Sequence, residues 1–199
     1  MTKALLGILV TVIAGLGIAG AIAYSGLVDV GADAPHAPVV FDVIEMVRER
    51  SIARRLDGIV PPADRDAAAR VRLGAGNYEA MCAGCHLRPG ERDSELRAGL
   101  YPKPPALAMK PKNGKANPAR AFWIIKHGLK ASGMPAWGKG GMRDADIWSL
   151  VGFLDRLPGL SPEAYRSLQA ESMGHSHAGS EVRTADHHDN HEHSHDPGR

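Results

Sequence analysis

Two cysteines and a histidine form the most specific chemical pattern in this sequence. Cys82 and Cys85 are the only cysteines of the 199-residue chain, and His86 directly follows the second. Two thiols at this spacing lie on one helical turn, where each can form a thioether bond with a vinyl group of haem. The adjacent imidazole is then placed to bind the iron as an axial ligand. The pattern predicts one covalently attached haem c.

Other chemistries also use two cysteines separated by two residues. A thioredoxin-like redox site needs βαβ patterning around the motif, and this sequence lacks it. A structural zinc site needs about four ligands, so histidines would have to supply those that the cysteines do not. A plain disulfide in an oxidising compartment would not call for His86. Haem attachment therefore explains the motif best.

The N-terminal segment predicts a membrane anchor. Residues 4–24 carry no charged side chain, and as a helix they would span about 31 Å, enough for a bilayer core of about 30 Å. Lys3 should stay in the cytoplasm while the rest is exported, which gives a single-pass protein of the bacterial inner membrane. The alternative is a signal peptide cleaved near Ala23, which would leave a soluble periplasmic protein. Both place the haem motif in the periplasm.

Residues 26–62 should connect this anchor to the haem domain through a short linker and an amphipathic helix. Apolar residues recur there at near-helical spacing among several arginines, at Val40, Ile44, Val47, Ile52 and Leu56. Under one interpretation the apolar stripe packs on the domain and the arginines are solvated. Under the other, a basic helix rests on the membrane surface or on a partner.

Local signals place the remaining helices. A helix from about 66 to 81 should deliver the haem motif, and Asn117-Pro118 and Gly128 bound a predicted helix over 118–127. Asp144 and Asp146 favour another helix start, and Ser161-Pro162 a last short one. No run predicts a strand, so the expected fold is all-α. The expected divisions are 1–25 (anchor or signal peptide), 26–62, a haem domain over 63–172, and a disordered His-rich tail over 173–199.

Met134 is the strongest candidate for the second axial ligand. It lies between Gly133 and Pro135, and the proline fixes φ, so this loop can be rigid and approach closely. The alternative role is a gap-filling core methionine. His127 is the main rival ligand, although a residue ending a helix also interacts with the helix dipole. Ligation by both His86 and Met134 would leave no open iron site, and the soft thioether favours ferrous iron. The expected role is therefore an electron carrier rather than an enzyme.

Residues 66–158 resemble the class I c-type cytochrome domain, in a layout similar to small membrane-anchored monohaem cytochromes of Gram-negative bacteria. The first helix has the family's spacing of glycine, aromatic residue and cysteine, and the last helix has the positions that cross it. These positions are Gly74, Tyr78 and Cys82 on the first helix and Leu150 and Phe153 on the last. The Ser132-Gly133-Met134-Pro135 run looks like the family's axial methionine loop.

The resemblance implies roles for two further residues. The Pro105 carbonyl would accept a hydrogen bond from the His86 ring N–H, although Pro104 is equally available from the sequence. The Trp123 indole N–H would bind a haem propionate, or else Trp123 is a core residue.

The segment from residue 96 to 143 has ten Lys or Arg residues and no Asp or Glu, in a chain of net charge +2. In the class I layout this segment frames the exposed haem edge. It predicts either a docking ring for an acidic-faced redox protein or simple solubility. A membrane oxidase or dehydrogenase is the other partner class expected. The near-neutral chain as a whole is not a nucleic-acid binder by charge.

The C-terminal tail is rich in imidazoles, which suit Zn, Cu and Ni. Its histidines are His175, His177, His187, His188, His191, His193 and His195. A flexible tract of this kind can bind such divalent metals without fixed geometry, or it is a solvated, pH-responsive tail. A metal-handling or metal-sensing protein is therefore an alternative function, as is a haem subunit of a larger dehydrogenase or oxidase.

Overall fold

The computed structural model describes residues 2–110 and 117–172. Regular structure in these residues is helical, without strands, which confirms the predicted all-α class. The helices are α1 (Thr2–Ser25), α2 (Pro38–Ala53), α3 (Ala68–Met81), α4 (Ala83–His86), α5 (Glu95–Ala98), α6 (Pro118–His127), α7 (Asp144–Leu154) and α8 (Pro162–Ala170), with a 3₁₀ turn at Leu157–Gly159. The tail over 173–199, with its candidate metal-binding histidines, lies outside the described residues.

Helix α1 is long and apolar enough to cross a membrane by length and composition. It contains an 18-residue window of mean hydropathy 2.5, and none of that window is buried inside the protein. A signal sequence near an N-terminus has the same properties. Both alternatives for this segment therefore stay open.

The centre of the haem domain is the crossing of α3 and α7. Gly74 lies at the contact, where an added Cβ would come within 2.7 Å of the Ser149 carbonyl carbon and 2.8 Å of the Phe153 Cβ. Because glycine has no side chain, the two backbones can approach this closely. The buried rings of Tyr78 and Phe153 lie beside the glycine, with centroids 5.3 Å apart. The helix that ends at the haem motif is thus fixed by the helix pair that the sequence predicted.

Helices α6 and α8 begin at the capping residues that the sequence indicates. The Asn117 side chain accepts hydrogen bonds from the backbone N–H groups of Ala119 and Arg120 at 3.0 and 3.2 Å. Ser161 caps α8 in the same way. Helix α6 then packs on α7 through a stacked ring pair, Phe122 and Trp148, with centroids 4.3 Å apart.

An ionic cluster fixes α8 to α3. The Glu79 carboxylate accepts hydrogen bonds from the Arg88 Nε at 2.9 Å, the Tyr165 hydroxyl at 2.8 Å and the Gln169 amide at 2.7 Å. The Arg88 guanidinium is the main cause that lowers the pKa of Glu79 to about 2, and the Gln169 and Tyr165 hydrogen bonds add to it against the effect of burial. The carboxylate therefore stays ionised down to strongly acidic pH.

The structure contradicts the expectation that the apolar stripe of α2 packs on the domain. Val40, Ile44 and Val47 are 45%, 43% and 57% exposed, and Ile52 is the buried member of the stripe. The reason is that α2 contacts the domain through a different side, which carries Glu49 together with Ile52. Glu49 binds Arg120 of α6 with both carboxylate oxygens, each at 2.9 Å, so the apolar stripe is directed outwards.

Candidate haem-binding site

The haem motif consists of Cys82, which joins α3 to α4, and the single turn of α4. The backbone N–H groups of Cys85 and His86 both donate to the Cys82 carbonyl, at 3.1 and 2.8 Å. Both cysteines are half-buried free thiols. The turn therefore places two thiols and an imidazole side by side, as covalent haem attachment requires.

The loop after α5 orients the His86 imidazole. Its Nδ1 lies 2.9 Å from the Pro105 carbonyl oxygen. A carbonyl can only accept, so Nδ1 carries the proton and Nε2 is the nitrogen available to a metal. The backbone N–H of Leu107 donates to the His86 carbonyl at 3.0 Å, which fixes the loop against the motif from a second side.

Arg97 determines which of the two neighbouring proline carbonyls is available to His86. Its Nε donates to the Pro104 carbonyl at 2.8 Å, which leaves the Pro105 carbonyl for His86. Burial lowers the pKa of His86, the Pro105 hydrogen bond opposes this, and the positive charge of Arg97 lowers it further. Together these effects favour the neutral imidazole, which is the form that binds iron. This role was not predicted, because in the sequence Arg97 is one of ten basic residues between positions 96 and 143.

The chain leaves the motif through a strained residue that Tyr78 supports. Leu87 has a φ of 69°, which is unusual for a residue with a side chain. The Tyr78 hydroxyl donates to its carbonyl at 2.7 Å. Burial raises the pKa of Tyr78, and the Cys82 and Glu91 side chains add to this, so the phenol remains a donor. Tyr78 was expected only to pack against α7; the bond to Leu87 depends on tertiary contact.

Met134 lies on a loop that is tied to the end of α6. The Leu129 N–H donates to the Met134 carbonyl at 3.1 Å, and the Met134 N–H donates to the Ser132 hydroxyl at 3.2 Å. At Gly128, with φ of 65°, a Cβ would come within 2.8 Å of the Met134 carbonyl oxygen. The Met134 side chain is half-buried against the hydrophobic core. This loop is held tightly enough to present a thioether at a defined position.

The neighbouring candidates Trp123 and His127 contact each other. Their ring centroids are 4.9 Å apart, and His127 is exposed at the last residue of α6. That position fits the helix-dipole role of a histidine. Trp123 is half-buried, while Phe122 beside it stacks in the core. Trp123 thus lies at the edge of the domain rather than in its interior.

The described residues around the two cysteines do not complete a zinc site. In the described ranges, no group of three or more His, Cys, Asp or Glu side chains is placed to hold a metal ion. Burial raises the pKa of Cys82 to about 12, and the Cys85 charge adds to the effect. The protonated thiol is therefore the favoured form of Cys82 in the absence of a bound group.

More of the positive charge in the basic segment, residues 96–143, is neutralised than its sequence indicates. Of the eight Lys and Arg residues that the structure describes between 96 and 143, five form ion pairs with carboxylates outside the segment. These pairs are Arg97 and Lys103 with Asp93, Arg120 with Glu49, Lys126 with Asp144, and Arg143 with Asp146. Lys103 and then Arg97 lower the pKa of Asp93 to about 2. The remaining three, Lys110, Lys130 and Lys139, are exposed and have no carboxylate partner among the described residues.

These residues fit a haem. The candidate donors are the His86 imidazole with its Nε2 available, the Met134 thioether and the two adjacent thiols. Half-buried apolar side chains pack against the core and offer a surface for the porphyrin; they include Met81, Leu107, Ala108, Met134 and Trp137.

A comparison with protein families supports a c-type cytochrome domain in this chain: residues 69–154 match the model described as cytochrome c oxidase, cbb3-type, subunit III. The match includes the haem motif and the Met134 loop, and it leaves α1, α2 and α8 outside. Comparisons with curated proteins and with solved structures gave no significant match.

Proposed function

We propose that this protein is a membrane-tethered, periplasmic monohaem cytochrome that carries single electrons between redox partners. Its c-type cytochrome domain implies haem-based electron transfer. The main observation that supports iron ligation within this proposal is the geometry at His86. Its Nδ1 is committed to the Pro105 carbonyl at 2.9 Å, so Nε2 is left as the ligand nitrogen on the turn that holds both cysteines.

Haem bound here supplies a one-electron couple between ferric and ferrous iron. Cys82 and Cys85 would hold the porphyrin through thioether bonds, and His86 and Met134 would bind the iron. Ligation by both residues would favour outer-sphere electron transfer over oxygen or peroxide chemistry. The soft thioether of Met134 would raise the reduction potential. Pro105 orients the imidazole, and Trp123, at the domain edge, would bind a haem propionate.

A docking surface for an acidic-faced redox protein would centre on the Met134 loop. Lys130 and Lys139 lie on either side of Met134 in the chain and are exposed without carboxylate partners in the described structure. Their charge is therefore available to attract an anionic partner, unlike that of the five ion-paired residues of the basic segment.

The tether would be α1, with Lys3 on the cytoplasmic side and the haem domain in the periplasm. Its length and hydropathy support this placement. The alternative is release of the domain by cleavage near Ala23.

A second candidate function is a haem subunit of a membrane oxidase. The family model that matches residues 69–154 is described as an oxidase subunit, which favours this candidate. The two candidates share the same site and differ in whether the domain diffuses between partners or stays in one complex. Purification of the full chain from native membranes distinguishes them: a co-purifying catalytic subunit supports the second candidate, and isolation as a single polypeptide supports the first.

The axial ligands can be tested by redox titration of the purified full chain and of two variants, Met134→Ala and His127→Ala. We expect one reversible one-electron wave and, in the oxidised protein, a thioether–iron charge-transfer band. The band should persist in His127→Ala and disappear in Met134→Ala, together with a fall in potential. A band that persists without Met134, or that disappears without His127, contradicts the ligand assignment.

A further inference from the structure

Helix α2 has an apolar face that no described part of the chain covers. Its side chains are between 43% and 67% exposed: Val39, Val40, Val43, Ile44, Met46 and Val47. At about 100° per residue, these positions occupy roughly 160° of the helix circumference. A contiguous apolar face of this size on the solvent-exposed surface of a protein indicates a binding surface.

The opposite side of α2 is fixed to the haem domain. Ile52 is 2% exposed, and the Glu49 carboxylate forms a bidentate ion pair with Arg120 of α6 at 2.9 Å. Just before the helix, the His36 N–H donates to the Tyr101 hydroxyl at 3.1 Å, and the two rings meet edge-on with centroids 5.2 Å apart. The apolar face therefore has a defined direction, away from the domain.

The chain that precedes α2 keeps this face close to α1. The linker of residues 26–37 can span at most about 43 Å when fully extended. It also exposes apolar side chains of its own: Leu27 is 80% exposed, Val28 57% and Val30 92%. An α1 inserted in a bilayer would thus hold the apolar face of α2 near the membrane surface, with Asp29 and Asp33 as the charged residues of the connecting linker.

Charge at the end of α2 fits an anionic lipid surface. Arg50, Arg54 and Arg55 have no carboxylate partner among the described residues, whereas Glu45 and Glu49 are neutralised by arginines. Unpaired arginines at the end of an apolar helix face are typical of helices that lie in the membrane interface and bind anionic headgroups.

We propose that α2 lies in the plane of the membrane interface, with Val43 and Val47 in the acyl region and Arg50, Arg54 and Arg55 at anionic phospholipid headgroups. The inference goes beyond electron transfer and rests on one part of the proposed function, the insertion of α1. Because α2 is fixed to α6, its insertion sets the orientation of the haem domain relative to the bilayer. The Met134 loop would then face a constant direction with respect to membrane-bound redox partners.

Spin labels on the full-length holoprotein test this placement. Once Cys82 and Cys85 hold haem, a cysteine introduced at Val43 or Val47 is the only free thiol, and the unmodified chain is the blank. Asp42→Cys is the matched control, because Asp42 is the neighbour of Val43 on a different side of the same helix. The chain is reconstituted in nanodiscs of zwitterionic lipid with or without phosphatidylglycerol. Collision of each label with oxygen, which prefers lipid, and with a water-soluble nickel chelate is then measured.

We expect the ratio of oxygen to nickel collisions to be several-fold higher at Val43→Cys and Val47→Cys than at Asp42→Cys, and higher with phosphatidylglycerol than without it. Equal water accessibility at all three positions overturns the proposal. So does protection of Val43→Cys and Val47→Cys from both reagents, which would indicate a protein partner or a second copy of the chain. Retention in the nanodisc and reversible haem reduction are recorded in parallel. If these persist while the labels are in water, the inference fails and the proposed function stands.

Discussion

Substitution of one glycine should separate the two helices that support the haem motif. In Gly74→Ala, the new Cβ would come within 2.7 Å of the Ser149 carbonyl carbon and 2.8 Å of the Phe153 Cβ. Carbon atoms in contact prefer separations of about 3.5–4.0 Å, so α3 and α7 would have to move apart by about 1 Å. The atoms that Cβ meets belong to backbone and to a buried ring residue, and neither can rotate away.

The expected loss of stability in Gly74→Ala follows from two opposing effects. Overpacking of a core costs about 1–3 kcal/mol, with the upper end appropriate where backbone is displaced. Replacing a helical glycine by alanine returns about 0.5–1 kcal/mol. We therefore expect the free energy of unfolding to fall by about 2 kcal/mol, or a decrease in Tm of about 8–16 °C for a domain of this size.

Thermal unfolding of the full-length holoprotein in detergent, followed by circular dichroism, measures this effect. Gly159→Ala is the matched control, because a Cβ at Gly159 would have no atom within 4 Å; its effect should stay within about 0.5 kcal/mol. The haem spectrum should be unchanged in both folded variants, since neither position carries a ligand. Equal stability of Gly74→Ala and Gly159→Ala would refute the close crossing.

Two further outcomes are expected. The pKa of Glu79 is lowered to about 2 in the folded protein. This carboxylate therefore stabilises the fold above its unfolded pKa, and its contribution is lost as the pH falls from about 4.5 to 2. Solvent screening limits that contribution to about 1–2 kcal/mol. Tm should therefore fall more steeply over this range in the unmodified protein than in Glu79→Gln, and parallel curves would contradict the role of the cluster. The double variant Lys130→Glu/Lys139→Glu should slow electron exchange with an acidic redox protein such as a flavodoxin by about tenfold at low salt, and much less at high salt. Arg166→Glu on α8 is the control, and a salt-independent loss in the double variant would remove the docking role.

Local signals made much of the helical framework predictable. Asn117-Pro118 and Ser161-Pro162 combine a capping side chain with a proline at the first helical position, and both helices begin where these signals lie. The place of Gly74 at the α3–α7 crossing was predicted from the resemblance to class I c-type cytochromes, which share its spacing from Tyr78 and Cys82. Such features depend on neighbours in the sequence.

Features that depend on tertiary contact were not predictable. Arg97 of α5 determines which proline carbonyl accepts the His86 hydrogen bond. It binds the Pro104 carbonyl, which leaves the Pro105 carbonyl for His86. In α2, the periodicity indicated an apolar face but not which face meets the domain, and the ion pair between Glu49 and Arg120 decides it. The run of basic residues overstated the free charge for the same reason.

Intact mass of the purified full chain, combined with extraction in acidified acetone, tests the central claim most directly. The account predicts a polypeptide that carries the added mass of a single haem, retains its colour in the precipitate after extraction, and loses both in the Cys82→Ala/Cys85→Ala variant. A chain with the mass of the bare polypeptide after co-expression with the haem attachment machinery, or a porphyrin that the solvent removes, would contradict it.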